Sequence, residues 1–229
     1  MPALSYAGPA ARAQTPSPAS DDPVWAQIQD DLKHIDEEIR NKKPTPQTLR
    51  AFESTLRFHA AHISSKGLDQ RVAQLVKRQM RAKGRAAFLA DAAETHRLHE
   101  RDAERRAGAQ NQAFLPHVAP TAEELGQVAD RLARGNFAAM IREAADASRS
   151  LRERVAVDAP QGVRLVAYGG RVDGYCSDFG QIIAGLRWLK DFVCMLAIFD
   201  PPLFLAECAA LQMELWTMEM FEWFFCTEI

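Results

Sequence analysis

The sequence predicts an all-α protein: an irregular helical bundle closed by a C-terminal antiparallel helical hairpin that two disulfides staple. Three observations carry this expectation. Apolar residues recur at alternating three- and four-residue spacings through much of the chain, the signature of amphipathic helices. Helix-starting devices precede these runs, either a capping residue followed by proline or a capping box. All four cysteines fall in the last quarter of the chain, mirror-symmetric about Pro201.

Residues 1–22 are rich in Ala, Pro and Ser, a composition without the apolar content to fold. Ala11-Arg12-Ala13 before Gln14 has the small-x-small form of a signal-peptidase site, yet Met1–Ala13 lacks the apolar core of a complete signal. The segment therefore reads either as the remnant of an export signal or as a disordered tail. The bundle is expected over 23–157. Asp22-Pro23 opens its first helix, whose stripe is Trp25, Ile28, Leu32, Ile35 and Ile39. Thr45-Pro46 opens the second, with Leu49, Phe52, Leu56, His59 and Ile63 on one face. The short joint between them favours an antiparallel pair. Leu68 to about Arg106 is helical in character, with a break or bend expected near Gly84. Residues 107–120 read as a connector.

Thr121 and Glu124 form a capping box for the next helix, which buries Leu125, Val128 and Leu132. Gly135-Asn136 separates it from a helix carrying Phe137, Met140, Ile141, Ala144, Leu151 and Val155, with Asn136 as its expected cap. Residues 158–174 form a connector, within which Val163 to Ala167 alternate as one short strand would. The hairpin, 175–229, consists of two apolar helices meeting at Asp200-Pro201-Pro202.

The cysteines fix its expected register. Cys194 and Cys208 lie equally far from Pro201, as do Cys176 and Cys226, and on each arm the two are separated by a whole number of helical turns. Folding the arms together pairs Cys194 with Cys208 and Cys176 with Cys226. Paired cysteines favour an oxidising compartment, so the expected location is periplasmic or secreted, with the cytoplasm as the alternative. The same register places Arg187 and Lys190 near Glu214 as a surface ion pair. The apolar run from Phe192 to Ala206 is too short to span a bilayer and is interrupted by Asp200-Pro201-Pro202, so no transmembrane span is expected.

Charge and motifs exclude more than they assign. Residues 1–154 carry 24 Lys+Arg against 20 Asp+Glu, and 155–229 carry 4 against 10. A mildly basic front and an acidic, aromatic back give no electrostatic footprint for nucleic acid. The local basic run at Lys77, Arg78, Arg81, Lys83 and Arg85 lacks interleaved aromatics and reads as a solvated face. No Cys/His cluster with zinc spacing, Walker loop, G-x-S-x-G or Glu-x-x-His motif is present. No catalytic residue is assigned, and no cofactor is required.

Two functional readings remain. The first is a non-enzymatic structural or interaction protein, bound to a protein partner or to itself through Trp216, Met220, Phe221, Trp223 and Phe224. The second is a divalent-metal-binding helical protein. His59/His62 and His96/His99 are two pairs at i, i+3, a spacing that places both rings of each pair on one helix face. A fold-back near Gly84 would bring the two pairs toward one another.

Overall fold

Proline in the first turn sets the start of three helices, because its fixed φ suits that turn and its missing N–H is not needed there. These are α1 (Pro23–Arg40), α2 (Pro46–Ser65) and the last helix, α8 (Pro201–Cys226). Between them lie α3 (Leu68–Lys83), α4 (Arg85–Ala109), α5 (Ala122–Ala133), α6 (Phe137–Asp158) and α7 (Val172–Leu196). The computed structural model describes residues 23–41, 46–109, 119–158 and 172–226; the side chains of 223–226 and of some other helix-end residues lie outside the description. The expected strand at 163–167 also lies outside it. Among the described residues the chain is all-helical, as the sequence predicts.

Glycines make three of the joints. Gly67, at φ +65°, carries the chain from α2 into α3. Gly84, at φ 82° and ψ 148°, separates α3 from α4 in a backbone region open essentially only to glycine. Gly135 ends α5 in a Schellman motif: its own N–H donates to Leu132 and the next residue's N–H donates to Arg131. The Thr121–Glu124 capping box is present in both directions. The cap of α6 differs from expectation. The Ala138 N–H in its first turn donates to Asp69 Oδ1 of α3 at 2.8 Å, so the capping oxygen comes from a distant helix rather than from Asn136.

Helix α2 packs along α6, and α7 along α8; α1 bridges α2 and α8, while α4 lies against α7 and α5. The predicted stripe of α1 is buried in full. Aromatic rings tie the hairpin to the bundle. Phe221 of α8 meets Phe52 of α2 at 5.7 Å between ring centroids and Phe179 of α7 at 5.1 Å, both edge to face, a favoured aromatic geometry. Phe88 of α4 meets Phe192 of α7 at 5.8 Å.

The hairpin register is as the cysteine spacing predicts at its inner end. Cys194 and Cys208 form a disulfide, with their Cα atoms 4.8 Å apart. Cys176 is not a free thiol; the side chain of Cys226, its expected partner, lies outside the described residues. Among the described residues no helix is long and apolar enough to cross a membrane.

Candidate functional site

Helix α8 is apolar along most of its length, yet Glu207 and Glu214 stand on it seven residues apart. Seven residues is nearly two whole turns, so the two carboxylates share one face. That face is turned inward, and both are buried. They converge on His59 of α2, which is fully buried. His59 Nδ1 lies 2.9 and 3.0 Å from the two oxygens of Glu214, and Nε2 lies 2.9 Å from Glu207 Oε2. With an acceptor-only carboxylate at each nitrogen, both nitrogens donate and the ring is an imidazolium.

Burial opposes this charge, but the adjacent Glu214 charge and the hydrogen bonds that the ring donates to both carboxylates outweigh it and lift the His59 pKa to about 10. His62, one turn on, brings Nε2 to 3.8 Å from Glu207 Oε1. Trp25 of α1 closes the cluster on its apolar side, its ring edge-on to His59 at 5.5 Å and to His62 at 4.9 Å.

A second cluster forms where α4 meets α7. Asp191 accepts from His96 Nδ1 at 2.7 Å through one oxygen and from His99 Nδ1 at 2.5 Å through the other. Lys190 Nζ stands 2.9 Å from the same carboxylate. Burial would raise the Asp191 pKa, but the two histidine hydrogen bonds and the Lys190 charge hold it well below the usual carboxylate range. Beside this cluster, buried Arg187 donates to Glu100 of α4 at 2.7 Å and Glu219 of α8 at 2.8 Å.

These contacts revise several expectations. Arg187, Lys190 and Glu214 do not form a surface pair: all three are buried, and each has a different partner. The four histidines do not assemble as one group. His59 and His62 face the carboxylates of α8, whereas His96 and His99 face Asp191 of α7. Among the described residues no group of three or more His, Cys, Asp or Glu side chains is placed to hold a metal ion.

Of the expected contact residues, Trp216 is exposed, but Met220 and Phe221 are buried in the core. Phe221 is turned inward by its two aromatic neighbours. The Trp223 and Phe224 side chains lie outside the described residues. Sequence reasoning passed over Asp191 and Glu207 as site residues and placed Glu214 at the surface. The available signal was the seven-residue spacing of the two glutamates on an otherwise apolar helix.

A surface groove of about 610 Å³ runs between α6 and α7 over Met140, Ala144, Ile182 and Leu186. Its rim arginines are already matched, Arg131 with Glu143 and Arg154 with Asp178, so among the described residues the rim offers no uncompensated charge to a ligand. No protein-family model matches the chain, and no curated protein or solved structure matches it.

Proposed function

We propose that this chain is a non-enzymatic helical interaction protein, acting in an oxidising, extracytoplasmic compartment, that associates with a second copy of itself through the outer face of α8. The observation that carries this reading is the residue order on that face. Leu205, Ala209, Gln212 and Trp216 follow each other at spacings of four, three and four, the spacing of a helix-pairing seam. Leu205 is 58% exposed and Trp216 39%, on a helix whose other large apolar side chains within the description are buried or half-buried.

A helix is the partner shape that such a seam fits. A second α8 running antiparallel supplies one without any charge meeting a like charge: Leu205 would face the partner's Trp216, and Ala209 the partner's Gln212. That arrangement is self-complementary, as a two-fold interface requires. The Cys194–Cys208 disulfide supports the compartment, since such bonds persist where the surroundings are oxidising.

Sedimentation equilibrium with the disulfide intact tests the reading. A dimer that Trp216→Ala weakens at least tenfold, with helicity and melting temperature unchanged, is the expected result. A monomer at all accessible concentrations, or a dimer indifferent to both Trp216→Ala and Leu205→Glu, would overturn it.

A further inference from the structure

We propose that α2 and α6 together form a binding site for a phosphate group, either the free anion or a small phosphomonoester. The sequence places Arg50, Glu53, Ser54 and Arg57 at i, i+3, i+4 and i+7 on α2, so they share one face. Helix α6 packs along α2 and brings Arg152 to Glu53 of that face. These five residues line a cavity of about 430 Å³, a size within the range of small-molecule sites. Arg50 and Ser54 are exposed, so the cavity is open to solvent.

The polar contacts leave this lining short of acceptors. Arg57 Nε donates to Glu53 Oε1 at 3.1 Å, and Arg152 Nη2 donates to Glu53 Oε2 at 3.2 Å. Both oxygens of the one carboxylate in the lining are thus engaged, and it holds two guanidiniums in place. Arg57 also donates to Asp146, outside the lining, at 2.5 Å, and Asp146 is shared with Arg149. Among the described residues Arg50 has no ion pair, and the buried Nε of Arg152 has no acceptor. An unmet buried donor is costly, so an acceptor arriving there is favoured. Three guanidiniums line the cavity against one carboxylate. A phosphate dianion supplies the two missing negative charges together with three acceptor oxygens, where a planar carboxylate supplies one charge and a single edge. Arginine forks and a hydroxyl such as that of Ser54 are donors suited to those oxygens.

Titration calorimetry at fixed ionic strength tests the site on the full chain, its disulfide intact, with inorganic phosphate, phenyl phosphate and benzoate as probes. One equivalent of a phosphate probe is expected to bind, and more tightly than benzoate. Arg50→Ala should weaken that binding about tenfold or more, the loss of one charged hydrogen bond, without breaking an ion pair of the fold. Arg152→Lys keeps a charge beside Glu53 but not the fork, and should weaken binding about as much. Arg78→Ala removes the same charge from the exposed face of α3 and, with salt screening the distant charge, should leave binding within about twofold. Circular dichroism confirms that each variant is folded. The tighter of the two phosphate probes tells the free anion from a monoester, and either order supports the site. Folded wild-type protein that binds neither up to about 10 mM overturns the proposal. So does benzoate binding as tightly as phosphate, binding that Arg50→Ala and Arg152→Lys leave unchanged, or binding that Arg78→Ala weakens as much as they do. None of these readouts depends on dimerisation, so the site and the α8 seam stand or fall separately.

Discussion

At the residue scale, His59 shows why the buried charges come as sets. Its ring touches both Glu207 and Glu214. His59→Leu leaves two buried carboxylates without their shared donor and should cost about 3–5 kcal/mol by urea unfolding. Replacing Glu207 and Glu214 by Gln as well removes the stranded charges, so the triple variant should recover much of that loss. A single variant as stable as the wild type would mean that water reaches the carboxylates. Asp191 sets the acid limit instead. Its folded pKa lies below the unfolded value, so its stabilisation is present above about pH 4 and is lost as pH falls from there. His96, His99 and Lys190 are the groups that face it. Urea midpoints between pH 6 and pH 3 should fall more steeply for wild type than for Asp191→Asn. Equal slopes would remove Asp191 as the cause.

At the scale of the element, two glycines in ordinary-looking helical sequence have opposite roles. Gly84 occupies φ 82°, ψ 148°, so Gly84→Ala should cost about 1–3 kcal/mol even though no atom obstructs the new methyl. Gly185 lies exposed inside α7 with open space at its Cβ position. Gly185→Ala should therefore raise stability by about 0.5–1 kcal/mol through helix propensity alone. Thermal unfolding of the pair checks both signs, and a gain at both positions would show that the α3–α4 joint can be straightened. Element starts and stops were legible in the sequence because proline, glycine and the Thr121 box act locally. The α6 cap was not, because its oxygen belongs to Asp69, and nothing near Asn136 in sequence reveals that α3 ends up beside it. The same limit hid the site. The spacing of His59/His62 and His96/His99 shows that each pair shares a face, but which carboxylate meets that face depends on how α7 and α8 dock.

For the whole molecule, the hairpin is more than a cover over the bundle. Its first arm supplies Asp191 and Arg187 to α4, and its second supplies Glu207 and Glu214 to α2. Peeling it away would separate each of those charges from its partner, and would expose Phe221 and Phe192 at the same time. Such coupling predicts that the hairpin and the bundle unfold as one cooperative unit, although composition divides them into a basic front and an acidic, aromatic back. The disulfide between Cys194 and Cys208 then acts on the unfolded chain as a whole, by closing a loop of about fifteen residues worth about 3 kcal/mol. Replacing both cysteines by serine should lower stability by about that amount while unfolding stays a single transition. Tryptophan emission reports on Trp25 in α1 and on Trp188, Trp216 and Trp223 in the hairpin, while circular dichroism reports on all helices. Coincident curves are expected from both probes. An early tryptophan transition followed by a separate helical one would show instead that the hairpin opens alone, and that the buried ion pairs do not hold it to α2 and α4.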